Sequence, residues 1–341
     1  MAMDIRYLIM AITNRCNLKC RYCYLAAQGA GSDMADTTID QALSLVGNNK
    51  KPCHIQITGG EPTLVPDKIT RTARQSRLLP VKPRLAIQTN ATLLTRELCQ
   101  LFKEYEFQVG VSLDGPPDIQ DLQRGLASAT LRGLKLLEAM EIPFRVTTVV
   151  TQTNVLHLDK LALLLAGFAN SRGIGLDLLV NKGRALADDT RPAGRKELQD
   201  GINRLARTLT MINKHRSIPL QLRELDLQGN TSNDRRPFCR AATGQSLAIR
   251  WDGSLYPCGQ TMGDSFFYMG TVAKPALTRQ QALTGIRLRS KECNSCPLSG
   301  CCPGDCPSRI HYNNDDDDDD DKNSLICTMY KTLAAFRGGE K

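Results

Sequence analysis

Eight residues constrain this chain more than any other stretch: Cys16-Asn17-Leu18-Lys19-Cys20-Arg21-Tyr22-Cys23, directly after a short apolar run. Three thiols at CxxxCxxC spacing fall in one tight loop. They cannot complete a tetrahedral zinc site without a fourth partner. They can hold three corners of a 4Fe-4S cube and leave the fourth iron open for another ligand. That use requires a pocket for the ligand beside the loop.

Residues 4 to 180 alternate short β-rich runs with longer helical periods, the pattern of βα units around a parallel sheet. The first strand is expected over Ile5 to Thr13, and the next helix starts near Asp36-Thr37 with Ile39, Ala42, Leu43 and Val46 on its buried face. Further strands are expected over His54 to Thr58, Arg84 to Thr89, Phe107 to Leu113, Phe144 to Thr151 and Gly175 to Val180. A Leu-rich helix spans Leu156 to Phe168, and Leu198, Ile202, Leu205, Leu209 and Ile212 mark one stripe of a sixth helix. Six βα units are two short of a closed barrel, so the fold class is α/β, a partial (β/α)6 TIM barrel over residues 1–216 followed by a cysteine-rich domain over 217–341. In barrels the chemistry gathers at the C-terminal strand ends. There lie the cysteine loop, Gly59-Gly60-Glu61-Pro62, Asn90 and Ser112-Leu113-Asp114-Gly115-Pro116.

Thirteen cysteines in 341 residues suggest a disulfide scaffold or a set of metal ligands. Disulfide scaffolds are usually short and secreted, whereas this sequence opens almost directly into a strand and has no apolar run of spanning length. A reducing cytoplasm with thiols used as metal ligands is the reading that fits. The net charge of +9 includes the run Asp315 to Asp321, so the rest of the chain stands at 9 + 7 = +16. Such a basic body suits an acidic partner or simple solubility. Four histidines, one tryptophan and no arginine-aromatic recognition motif argue against nucleic acid.

The cysteine loop followed by Gly59-Gly60-Glu61-Pro62 resembles the radical S-adenosylmethionine (SAM) enzymes, in which SAM chelates the open iron. The resemblance implies that the reduced cluster cleaves SAM to methionine and a 5'-deoxyadenosyl radical, which abstracts hydrogen from an unactivated carbon. It implies that the GGEP loop approaches the methionine amino group, with Glu61 supplying negative charge, and that Asn90 lies on the same rim. Ser112 and Arg124 resemble the pair that binds ribose and carboxylate in the anaerobic sulfatase-maturing branch. Tyr22 looks like the aromatic residue near adenine. Against these stand plainer roles: an N-cap serine, a solvated arginine and a packed ring. A flavodoxin- or ferredoxin-type protein would supply the electron.

Cys239, Gly253, Cys258, Cys293, Cys296, Cys302, Cys306 and Cys327 match in order and spacing the pattern of the SPASM domain of peptide and protein maturases. The resemblance implies one auxiliary 4Fe-4S cluster on Cys293, Cys296, Cys302 and Cys327. It implies another on Cys239, Cys258 and Cys306, giving three clusters in all. The latter lacks an upstream fourth cysteine, so its last iron is open or filled by Cys301 or an oxygen ligand. Zinc is the competing metal for the CxxC pairs. Cys53 and Cys99 fall outside every pattern and read as packed thiols. The aspartate run between Cys306 and Cys327 reads as a solvated loop, and Lys68, Arg71, Arg74 and Arg77 could line an acidic peptide or be the wet side of a helix.

The favoured substrate is a ribosomally made peptide that becomes oxidised or cross-linked. Cys16 lies so early that leader recognition is expected from a separate partner protein or from the basic surface. In sulfatase maturation, the resemblance implies, an aspartate after the Cys258 position takes the proton that is lost in making formylglycine. Here that residue is Gly259, leaving Asp252 or Asp264 to substitute. A non-catalytic electron carrier is the alternative from another class.

Overall fold

The computed structural model describes residues 4–26, 31–225, 239–276, 281–284, 286, 291–299, 301–313 and 324–339. The aspartate run 315–321 lies outside them. Two compact units divide the chain: Met1–Lys19, Leu25–Val111 and Cys239–Ile286 form the first, and Cys20–Tyr24, Ser112–Phe238 and Arg287–Lys341 the second.

In the first unit, β1 (Tyr7–Ala11), β2 (His54–Thr58), β3 (Arg84–Thr89) and, up to Val111, β4 (Gln108–Ser112) pair in sequence order, all parallel. Their registers begin Tyr7 with His54, His54 with Arg84 and Ala86 with Gln108. Parallel neighbours need crossovers, supplied by α1 (Asp36–Ser44), α2 (Pro66–Ser76) and α3 (Arg96–Glu104). Ile39, Ala42 and Leu43 are buried on α1, as their spacing requires. Strands two and three match their expected bounds, because the alternation of His54–Thr58 ends at Gly59 and the apolar run of Arg84–Thr89 ends at Asn90.

The first unit also holds a strand absent from the sequence reading. Ser246–Ile249 pairs in parallel with β1, Tyr7 opposite Ser246, and a two-residue strand Leu255–Tyr256 pairs antiparallel to it. All four residues of Ser246–Ile249 are buried, so the run shows no alternation.

In the second unit β5 (Phe144–Val150), β6 (Ser171–Leu178) and the two-residue β7 (Gln221–Leu222) are parallel. A register shift between Phe144 and Val146 interrupts the β5–β6 ladder. Helices α4 (Pro117–Gln123), α5 (Ala127–Ala139), α6 (Leu158–Ala166) and α7 (Arg195–Asn213) belong to this unit. The stripe Leu198, Ile202, Leu205, Leu209 and Ile212 is buried, and α7 packs against the helix Leu325–Gly339. Strand six starts earlier than Gly175, at Ser171, because β5 pairs with it from that residue. Among the described residues no helix is long and apolar enough to cross a membrane.

Candidate functional site

In the first unit the GGEP loop is docked on the backbone that leads into Cys16. The Gly60 N–H donates to the Thr13 carbonyl and the Glu61 N–H to the Arg15 carbonyl, each at 2.8 Å. A Cβ on Gly59 would lie 2.4 Å from the Thr13 oxygen, and one on Gly60 2.1 Å from the Arg15 oxygen. Only glycine permits that approach. The same segment is tied to Asp33, which accepts from Thr13 Oγ1 at 2.6 Å and from the Arg15 guanidinium at 3.0 and 2.8 Å. Cys16 Sγ accepts the Leu18 N–H at 3.4 Å.

Glu61 is held by a dense set of donors. It is 1% exposed, and its carboxylate accepts from Thr63 N–H, Thr63 Oγ1, Thr89 Oγ1 and Asn90 N–H at 3.1, 2.5, 2.6 and 2.7 Å. Burial raises its pKa, and these donors oppose the rise. Its charge is spent joining the GGEP loop to the end of β3. Asn90 carries the tie onward, because its amide donates to Asn17 Oδ1 at 2.9 Å and Asn17 donates to Thr92 Oγ1 at 2.8 Å. Pro62 opens a short turn, Pro62–Leu64, that Glu61 caps.

In the second unit, Cys20 and Cys23 flank Tyr22, whose ring is buried against Leu179 and Ala185. The Tyr22 hydroxyl donates to Asp114 Oδ2. Arg124 donates to the same carboxylate through Nε at 2.9 Å and Nη2 at 3.0 Å. Two of its three nitrogens therefore serve Asp114, and the arginine is neither solvated nor a fork open in full to a ligand carboxylate. Asp114 is fully buried and also accepts the Val149 N–H at 3.0 Å. Burial holds the Tyr22 phenol well above its ordinary pKa and pushes the Cys20 thiol up, against the pull of Arg124. Ser112 is half-buried at the end of β4. Asp114, missed as a site residue, had its signal in the Ser112-Leu113-Asp114 strand end. Arg184, whose Nε donates to the Cys20 carbonyl at 3.0 Å, had none.

Eleven of the thirteen cysteines are half-buried, while Cys53 and Cys99 are buried. Burial pushes both of these thiols up to about 11, which suits packed side chains and not ligands. In the first unit, burial raises the Cys239 thiol and nearby Cys258 adds to the rise. Cys258 caps the turn Gly259–Thr261. In the second unit Cys302 Sγ accepts the Gly304 N–H at 3.4 Å. Cys306 precedes the helix Pro307–Asn313 and donates its N–H to Asp305 at 2.6 Å, and Asp305 pairs with buried Arg309. Cys293 and Cys296 lie on adjacent turns, Cys301 and Cys302 follow, and Cys327 sits on the last helix. Half-buried thiols and amide-to-sulfur contacts fit iron-sulfur ligation. Among the described residues no three His, Cys, Asp or Glu side chains already surround one point.

Three of the four basic residues in the row that runs along α2 to Arg77, just past its end, are engaged within the first unit. Lys68 pairs with Asp36, Arg71 with Asp36 and Asp40, and Arg77 with Glu104 while covering the Tyr105 ring. Their charge joins α2 to its neighbours, which leaves little of the row for an acidic peptide.

The Radical SAM superfamily profile matches residues 10–206. An uncharacterized protein of Methanocaldococcus jannaschii is 30% identical over 74% of this chain and 85% of its own length. A serine-type anaerobic sulfatase-maturating enzyme of Klebsiella pneumoniae is 25% identical over 89% of this chain and 82% of its own. Among solved structures, native anSMEcpe with bound AdoMet superposes with a TM-score of 0.76 at 21% identity, over 98% of this chain and 97% of that one. Streptococcus suis SuiB bound to S-adenosylmethionine gives 0.67 at 16%, over 91% and 74%. The fold is the α/β partial barrel with a cysteine-rich C-terminal region, and a 4Fe-4S cluster and SAM are the cofactors it implies. With the superfamily profile covering more than half its length and the cysteine loop docked on its GGEP turn, the chain belongs to the radical SAM superfamily of enzymes.

Proposed function

We propose that this enzyme is a peptide maturase that binds SAM at a cluster held by Cys16, Cys20 and Cys23 and oxidises or cross-links a ribosomally made peptide. The observation that carries this reading over formylglycine formation is Gly259, which cannot take a proton. The nearby carboxylates have other work. Asp252 is exposed, accepts the Ser254 N–H at 3.0 Å and pairs with Arg250. Asp264 accepts the Phe266 N–H at 2.9 Å as a turn cap. A peptide substrate is supported by two structural relatives, anSMEcpe with bound AdoMet and Cp18Cys peptide and SuiB bound to precursor peptide SuiA.

When bound, the cluster and SAM supply the radical chemistry. The chain's own residues bind, orient and exclude water. Ser112 offers a hydroxyl suited to ribose, Asn90 a polar edge on the β3 rim, and Arg124 the one nitrogen beyond those committed to Asp114. Gly59 and Gly60 hold the loop ahead of Cys16. Cys293, Cys296, Cys302 and Cys327 hold one auxiliary cluster, and Cys239, Cys258 and Cys306 hold another with an open iron suited to a substrate thiolate or to electron transfer.

Sulfatase maturation stays as a second reading because of the Klebsiella pneumoniae relative. The reduced, reconstituted enzyme with SAM should be given two substrates: precursor peptides encoded beside its gene, and a sulfatase-derived Cys or Ser peptide. Mass spectrometry should find hydrogen loss in a precursor peptide. Formylglycine in the sulfatase peptide would favour the second reading.

A further inference from the structure

The turn after β6 has no part in the roles assigned so far. It runs Gly183–Leu186 and meets the cysteine loop within the second unit. Gly183 sits at φ +63°, and a Cβ there would lie 2.4 Å from the Cys23 carbonyl oxygen. The Arg184 N–H donates to that same oxygen at 3.1 Å, and Arg184 Nε donates to the Cys20 carbonyl at 3.0 Å. Just beyond the turn, Asp188 pairs with the guanidinium of Arg21 at 3.3 Å. Arg184 thus grips the backbone of two cysteines three apart, and Asp188, four residues on, grips the side chain of Arg21 between them.

We propose that Arg184 is a positioning residue for the SAM cluster: it fixes Cys20 and Cys23 relative to each other and holds a permanent positive charge beside them that raises the cluster's reduction potential. A carbonyl held in place fixes the adjoining Cα and so the direction in which Sγ leaves the backbone. Guanidinium stays charged at every working pH and presents its donors in a rigid fork. One-electron reduction makes the cluster more negative, so a cation beside a ligand stabilises the reduced form.

This inference rests on Cys16, Cys20 and Cys23 holding a 4Fe-4S cluster. The test uses full-length protein with its iron reconstituted, comparing the parent with Arg184→Lys and Arg184→Gln. Circular dichroism checks folding, a chelator measures iron release, and a dithionite titration followed by electron paramagnetic resonance measures the potential. Both variants should release iron from the SAM cluster faster than the parent. Arg184→Gln should have a lower potential, and Arg184→Lys, which keeps the charge, one close to the parent's. An unchanged potential in folded Arg184→Gln, or parent-like iron release in both variants, overturns the proposal. Should Arg184→Gln fail to fold, Arg184→Lys decides: faster iron release at parent-like potential supports the proposal, and any other result overturns it. A parent that holds no such cluster refutes the ligand reading instead, so the two failures are distinct.

Discussion

Tyr22 and Asp114 are joined by a hydroxyl-to-carboxylate hydrogen bond, and through it the loop between Cys20 and Cys23 is anchored to the residues just after β4. Asp114 also neutralises Arg124, whose side chain is 9% exposed. Removing the carboxylate would leave a buried cation alone, which typically costs about 3–5 kcal/mol. Asp114→Ala should lower unfolding free energy by about that amount, and Tyr22→Phe by about 1 kcal/mol. Urea unfolding checks both. Equal losses from the two variants would show that the Arg124 pair adds nothing.

Gly60→Ala drives a Cβ to within 2.1 Å of the Arg15 oxygen, where backbone and not a flexible side chain must yield. The loop ahead of Cys16 would shift. The variant should lose more than about 2 kcal/mol of stability and retain less iron after reconstitution. Iron retention and unfolding curves equal to the parent's would contradict the docking of GGEP on this loop.

The fold was legible in sequence where one physical signal dominates. His54–Thr58 alternates and stops at Gly59, the apolar run of Arg84–Thr89 stops at Asn90, and the stripe of α7 has an unbroken helical period. Ser246–Ile249 escaped notice because a four-residue strand buried on both faces has no period to detect. The cysteine loop and the GGEP turn stood out by residue type and spacing. The internal partners of Glu61 and Arg124 did not, because which side chains meet them is set by the fold and not by spacing in the chain. Arg184 reaches the loop across 164 residues, and only the fold brings it there.

Cys53 and Cys99 give a pH prediction. Burial raises both thiols from 9.0 to about 11, so the folded chain holds these protons more tightly than the unfolded chain. That contribution is fully present below pH 9, and it is lost as pH rises from 9 through about 11. Unfolding free energy at pH 7 to 11 should fall less steeply in Cys53→Ala/Cys99→Ala than in the parent. Iron content should not change, and loss of iron would make either thiol a ligand.

Deleting Asp315 to Asp321 should leave iron content and SAM cleavage unchanged, since the run carries no thiol and no residue of the cysteine loop or the GGEP turn. Iron analysis and chromatography of 5'-deoxyadenosine check this. A fall in iron would refute the linker reading.

The central claim is that Cys16, Cys20 and Cys23 hold the cluster that cleaves SAM, and 5'-deoxyadenosine formation by the reduced, reconstituted protein tests it most directly. Three cubes require about 12 iron atoms per chain. The parent should reach that content and form 5'-deoxyadenosine. Cys16→Ala/Cys20→Ala/Cys23→Ala should lose about a third of the iron and form none. Cleavage retained by the triple variant would contradict the account.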